Sequence, residues 1–324
     1  MMNFGLIGAA GYIAPRHMKA VKETNNNLIV SYDKNDSVGV LDSYFPKANF
    51  FTEFEQFDRH IEKLKNENIK LDYVSICSPN QFHDAHIRSA FRWGANAICE
   101  KPVVLNPWNL DNLINMEKEM NKKVYNILQL RYHPSIIKLK EKIKSESKNE
   151  KYDVDLTYIT PRGNWYYSSW KGDLNKSGGI ATNIGIHFFD VLQWIFGDLK
   201  DNIVNLHTHD RASGYLEFSK ARVRWFLSID KNLLPKIKEI NAYRSIKLNG
   251  EEIEFSNVFH DLHTKSYQEI LNGNGYSLKD CVNSIELAYK IRNSKPVGLK
   301  GDYHPLSKKP LTTHPFKINQ NNEN

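Results

Sequence analysis

Two hydrophobic rhythms alternate along the first 130 residues. Short apolar runs recur at NFGLIG (3–8), NLIVSYD (27–33), LDYVSICSPN (71–80), NAICEKP (96–102) and VYNILQL (124–130). Each is nearly continuous and each is short, the mark of a strand covered on both faces. Between them, apolar positions return every three or four residues. This happens in AAGYIAPRHMKAVKE (9–23), over about 53–66, up to Gly94, and after Asn106 and Pro107. That spacing predicts helices. Pro15 and Pro107 fall in first turns, where a missing N–H does no harm. Strand and helix in alternation predict a parallel, doubly wound sheet.

The rhythm changes after residue 130. A helix near 134–146 leads into VDLTYIT (154–160), NIVNLHT (202–208), GYLEFS (214–219) and ARVRWFLSI (221–229). SIKLNGEEIEF (245–255) reads as a hairpin, with Asn249-Gly250 suited to a type I′ turn. Such closely spaced strands predict an open, mostly antiparallel sheet, with helices over 180–196 and 277–293. The fold class is α/β: a doubly wound parallel domain over 1–130, then an α+β domain over 131–300. A tail follows over 301–324, and its last residues are expected to fray.

One predicted helix is chemically odd. In SGGIATNIGIHFFD (177–190), Asn183, His187 and Asp190 interrupt an apolar run, and Gln193 continues their spacing. On one continuous helix these four share a stripe. Buried polar groups cost free energy unless paired. The stripe is therefore either a satisfied core feature or one wall of a site.

Composition narrows the classes. The 324 residues are 40% hydrophobic and 25% charged, ordinary for a globular chain large enough for two cores. No apolar run is long enough for a membrane span. The first residues lack the basic region of a signal peptide. Cys77, Cys99 and Cys281 have no metal-ligand spacing, so no metal is expected, and their sparse number suits a reducing cytoplasm. A net charge of +7 is spread along the chain. It favours an anionic metabolite over nucleic acid.

Gly8-Ala9-Ala10-Gly11 ends a predicted strand and opens a helix, where backbone N–H groups can meet a pyrophosphate. The residues of that contact are Gly8, Ala10, Gly11, Tyr12 and Ile13. The strict glycine fingerprint fails at Ala10 and Ile13, and a plain tight turn reads almost the same. Asp33, 25 residues after Gly8, adds the missing half. A carboxylate ending the second strand suits a ribose diol and disfavours a 2′-phosphate, so NAD is expected over NADP.

SICSPNQFH (75–83), ICEKP (98–102) and SGGIATNIGIHFFD together resemble the Gfo/Idh/MocA family of nicotinamide-dependent sugar oxidoreductases. With GLIGAAGYIAPRHM and DLTYITPRGNWYYSSWKGD they look like its WlbA/WbpB branch. The resemblance implies a Rossmann domain, an open-sheet second domain, and homodimers or homotetramers assembled through those sheets. It implies NAD-dependent oxidation of UDP-N-acetylglucosaminuronate at C3, for bacterial surface polysaccharide such as O-antigen. Members of this type can pass the hydride on to 2-oxoglutarate. Membrane and nucleic-acid partners are not implied.

By the same resemblance, Lys101 sits at the oxidised hydroxyl and His187 takes or relays its proton. Ser78, Pro79, Asn80, His83, Glu100 and Gln129 join Lys101 around the cofactor, although His83 reads equally well as a helix-start residue. Arg162 and Lys171 suit the pyrophosphate and carboxylate of a UDP-uronate. Asn164, Trp165, Tyr166 and Trp170 lie in the same aromatic segment, which is either substrate lining or core. Arg131 and Asn183 complete the substrate set. Asn183 is a departure, since many relatives carry Asp there. Two alternatives stay open: another sugar or nucleotide sugar as substrate, or a non-catalytic NAD-sensing regulator on the same fold.

Overall fold

The computed structural model describes residues 1–146, 150–236, 240–254 and 261–316. Six strands come first: β1 (Asn3–Ile7), β2 (Asn27–Tyr32), β3 (Asn49–Phe51), β4 (Tyr73–Ile76), β5 (Asn96–Cys99) and β6 (Val124–Asn126). Five helices alternate with them: α1 (Ala14–Glu23), α2 (Val40–Tyr44), α3 (Phe54–Asn66), α4 (His83–Arg92) and α5 (Pro107–Met120). The strands pair in parallel in the order β3-β2-β1-β4-β5-β6. Every residue of β4 is buried, as is β1 from Phe4 onward. Cover on both faces explains the unbroken apolar runs. The short pair α2 and β3 went unread in the sequence. Asn49–Phe51 is a three-residue edge strand without a fully buried position, so it carries no such run.

The next elements are α6 (Pro134–Ser145), β7 (Tyr152–Ile159), α7 (Trp165–Ser168), α8 (Leu174–Ser177), α9 (Gly179–Asn183) and α10 (Ile186–Phe196). They lead into β8 (Leu199–His207), β9 (Arg211–Phe218), β10 (Ala221–Ser228), β11 (Tyr243–Leu248) and β12 (Glu251–Glu254). The sheet runs β12-β11-β7-β10-β9-β8, antiparallel except where β7 meets β10. Asn249 and Gly250 both take positive φ in the β11–β12 hairpin, as a type I′ turn requires. Val154, Leu156, Val223 and Trp225 are buried. They alternate with Asp153, Asp155, Arg222 and Arg224. Arg224 grips Asp155 through two contacts of 2.6 and 2.8 Å.

Two further helices follow, α11 (Leu262–Leu271) and α12 (Val282–Asn293), the latter entered through a 3₁₀ turn at Leu278–Cys281. The chain divides into two compact units, one made of Met1–Tyr132 and His260–Ile285, the other of the remaining residues. The sequence reading placed all of 131–300 in the second domain. Instead α11 returns to the first unit, because Tyr267 and Ile270 join the core built on Phe4, Met18 and Tyr73.

The tail is held well past residue 300. The His304 imidazole lies 3.0 Å from the Thr157 hydroxyl and stacks on Phe226. Arg211, wholly buried, donates to the carbonyls of Lys309 and Pro310. The same guanidinium binds Asp210 at 2.7 Å and Asp230 at 3.4 Å. Described residues stop at 316, so the frayed end expected from sequence lies outside them.

Candidate active site

The cofactor residues expected from sequence in the first unit gather at the carboxyl edge of its sheet. Gly8 closes β1 with φ of 91°, and a Cβ there would lie 2.6 Å from the Cys77 carbonyl carbon. Only glycine lets the chain turn this close to the strand beside it. Gly11 donates back to Gly8 at 3.0 Å, and α1 begins three residues later. Tyr12 is 82% exposed at the tip. Asp33, directly after β2, is only 8% exposed and accepts from the Ala10 N–H at 3.0 Å. The carboxylate thus clamps the turn, and its second oxygen accepts from the Asn35 backbone at 2.9 Å.

The loops after β4 and β5 are tied to each other. His83 is buried, with ring nitrogens 2.7 Å from the Pro102 carbonyl and 2.9 Å from the Ser78 carbonyl. Burial favours the neutral ring, which donates to one of these carbonyls and lies against the other, so His83 packs between the two loops. Ser78 pairs with His86 at 2.8 Å, and burial pushes the His86 imidazole down to about 4. Pro79 introduces a 3₁₀ turn that contains the buried Asn80. Lys101 is partly buried, and its bond to Pro102 is cis. Gln129 and Arg131 share a 3₁₀ turn after β6. Arg131 donates to the Asp280 carbonyl at 3.1 Å and stacks over Tyr276.

Glu100 has the most unusual surroundings. Its Oε1 lies 3.1 Å from His17 Nε2 on α1 and 2.9 Å from His263 Nε2 on α11. Its Oε2 accepts from the Lys101 N–H at 3.2 Å. His17 Nδ1 sits 2.7 Å from the Tyr267 hydroxyl, which is 2.6 Å from the Ser75 hydroxyl. One directional chain satisfies every group: Ser75 donates to Tyr267, Tyr267 to His17, and both imidazoles to Glu100. Burial alone would raise the Glu100 carboxyl. The hydrogen bonds from the two imidazoles instead hold it well below the usual carboxylate range. Burial also lowers His263 against the pull of Glu100. The three donor atoms lie within 4.8 Å of one another, a cation-sized cluster, but the N···O separations are those of shared protons. His17, His263 and Tyr267 went unread in the sequence. The available signal was a histidine on the buried Ala14–Met18–Val21 face of α1.

In the second unit the expected substrate residues follow the carboxyl end of β7. Arg162 and Trp165 are exposed and Asn164 stands before α7, while Tyr166 is buried. Lys171 lies over both Trp165 and Trp170, at 5.4 and 5.5 Å from the ring centres. Burial pushes the Tyr166 phenol up to about 12, against the opposing influence of the Asn183 side chain and Arg162. Asn183 therefore lies near the Tyr166 phenol, whose hydroxyl makes no hydrogen bond among the described residues.

The single helix expected over 180–196 is broken. Asn183 ends α9, Ile184 and Gly185 form a turn, and His187 and Asp190 lie on α10. The Gly185 N–H reaches back five residues to Ile180 at 3.1 Å. A Cβ at Gly185 would sit 2.5 Å from the Ala181 carbonyl oxygen and 2.6 Å from Leu227 Cδ1 on β10. The backbone is pressed onto the sheet there, and the helical ladder gives way. His187 is partly exposed, and Asp190 is buried. Gly185→Ala is expected to cost about 1–3 kcal/mol by overpacking, read as a lower thermal midpoint.

A doubly wound sheet with a glycine turn, a ribose-competent acid and a lysine at one edge defines a dinucleotide-binding oxidoreductase architecture. The oxidoreductase family's NAD-binding Rossmann profile matches residues 2–127, and its C-terminal alpha/beta profile matches 140–252. The chain belongs to the Gfo/Idh/MocA oxidoreductase family. It is 46% identical to the WlbA (WbpB) dehydrogenase from Thermus thermophilus, solved in complex with NAD and UDP-GlcNAcA. That likeness has a TM-score of 0.91 and covers 94% of this chain and 100% of the other. A second structure of the Thermus enzyme holds NAD and alpha-ketoglutarate, at 47% identity and the same TM-score and coverage. Among curated proteins, the chain is 27% identical to a putative oxidoreductase, YteT, of Bacillus subtilis over 49% of its length. It is also 27% identical to D-glucoside 3-dehydrogenase of Escherichia coli over 44% of its length. These two matches span 37% and 41% of the relatives' own lengths. No helix among the described residues is long and apolar enough to cross a membrane.

Proposed function

We propose that this protein oxidises the C3 hydroxyl of UDP-N-acetylglucosaminuronate with NAD, and that 2-oxoglutarate takes up the hydride in turn. The observation that carries this reading is the full-length likeness, at 46% identity, to an enzyme solved with NAD and UDP-GlcNAcA. The first unit is suited to the cofactor: the Asp33 carboxylate stands where an adenosine ribose needs an acceptor, beside a turn that opens α1. NAD supplies the hydride acceptor when bound.

The rest of the chemistry falls to side chains. Alcohol oxidation needs a base for the hydroxyl proton and a donor that stabilises the developing alkoxide. His187 serves as the base and Lys101 as the donor. Tyr166 and Asn183 orient the sugar, while Arg162 and Lys171 pair with the pyrophosphate and the carboxylate. The protein works in the cytoplasm as a homodimer or homotetramer; its three cysteines are buried and outside any disulfide among the described residues, which suits a reducing compartment.

The direct test supplies purified protein with NAD, UDP-N-acetylglucosaminuronate and 2-oxoglutarate. Mass spectrometry should find a sugar lighter by two hydrogens together with 2-hydroxyglutarate. Neither product forming would overturn the assignment. Asp33→Ala is expected to weaken NAD binding about ten- to hundredfold by calorimetry, since hydrogen bonds to a charged group are worth about 1.5–3 kcal/mol.

A further inference from the structure

We propose that the buried Glu100 carboxylate is a fixed negative charge beneath the nicotinamide half of the cofactor site, biasing bound cofactor toward its oxidised, cationic ring. The inference rests on the reading of the first unit as an NAD site.

Position comes from topology. Asp33 ends β2 and marks the adenosine side. Strand order reverses between β1 and β4, so the second nucleotide half lies over the ends of β4 and β5. Glu100 is the first residue after β5.

Charge comes from the hydrogen bonds. Among the described residues, the hydrogen-bond donors to Glu100 are two imidazoles and one backbone amide. With Ser75 donating to Tyr267 and Tyr267 to His17 Nδ1, His17 keeps one proton, and burial works against a second proton on His263; in that arrangement the carboxylate is the cluster's one charge. A buried anion is costly, and α1, α11 and the loop after β5 supply its donors. α1 contributes His17, α11 contributes His263, and Tyr267 on α11 fixes the His17 ring. The oxidised nicotinamide ring is cationic and the reduced ring neutral. A fixed anion nearby therefore stabilises only the oxidised form.

The test compares NAD and NADH dissociation constants by calorimetry and fluorescence in the intact protein. Glu100→Gln keeps the shape, removes the charge and takes the acceptor from the Lys101 N–H. The ratio of the NAD constant to the NADH constant should rise about tenfold. Glu100→Asp keeps the charge and should keep the wild-type ratio. His263→Lys sets a cation against the same carboxylate and should raise the ratio in the same direction, which carries the test if Glu100→Gln does not fold. A purely structural role would weaken both dinucleotides alike and leave the ratio unchanged. An unchanged ratio in both charge-altering variants overturns the inference while the NAD reading stands. Wild-type protein that binds neither dinucleotide overturns both. Stoichiometric zinc in the purified protein, released by Glu100→Gln, also overturns the inference, because a bound cation would cancel the charge.

Discussion

Lys101→Met is expected to lower kcat about 10³-fold while leaving NAD affinity near that of wild type. Methionine keeps much of the apolar stem and removes the ammonium. In the proposed reaction that ammonium acts where negative charge develops on the sugar oxygen, so its loss is felt in the transition state more than in the ground state. The backbone of the Lys101 loop depends on other groups. The Glu100 carboxylate takes the Lys101 N–H, and His83 packs against the Pro102 carbonyl. The cofactor contacts should therefore survive the substitution. Single-turnover kinetics paired with NAD calorimetry separates the two quantities. Wild-type turnover in the variant would remove Lys101 from the chemistry.

Arg211→Leu is the substitution expected to harm stability most, by about 3–5 kcal/mol. The guanidinium is wholly buried, bonded to Asp210 and Asp230 and to two carbonyls of the tail. Leucine leaves two carboxylates and two carbonyls without it. The loss should also depend on pH. Burial would raise the Asp210 carboxyl, but its bonds to Arg211, Thr208 and Thr312 outweigh that and hold it below the ordinary value. A depressed carboxyl stabilises the fold above its unfolded pKa, and that contribution fades as pH falls through the folded one. The gap between variant and wild type in thermal midpoint should therefore be widest near neutrality and narrow in acid. A constant gap would mean that Arg211 acts through packing alone.

Local signals carried much of the architecture. The buried runs around Gly8, Asp33 and Cys99 announced a parallel sheet because strands covered on both sides have no polar alternation to hide. Asn249-Gly250 announced its hairpin because the turn's backbone geometry is written in those two residue types. Gly185 could not be read the same way. The break it makes depends on Leu227, a residue on a distant strand, and the surrounding periodicity suggested one unbroken helix. The stripe of Asn183, His187 and Asp190 is consequently two pieces, with Asn183 near Tyr166 and His187 carried by α10. Glu100 shows the same limit at a site. Its motif pointed toward the cofactor, but its partners lie 83 and 163 positions away, and no local pattern names them. The return of α11 is hidden for a related reason. An amphipathic helix declares that it has an apolar face and stays silent about which core receives it.

That return has a consequence for how the protein is made. A ribosome delivers the chain in order, yet Glu100 meets His263 only after 163 further residues have been added. At about 5–20 residues per second, the nascent N-terminal sheet waits roughly 10–30 s with a carboxylate that must stay hydrated. Arg211 waits similarly for the carbonyls 98 and 99 residues downstream. Both cores thus close late in translation, and a ribosome-stalled chain ending before α11 should expose its sheet to chaperones instead of standing as a finished domain.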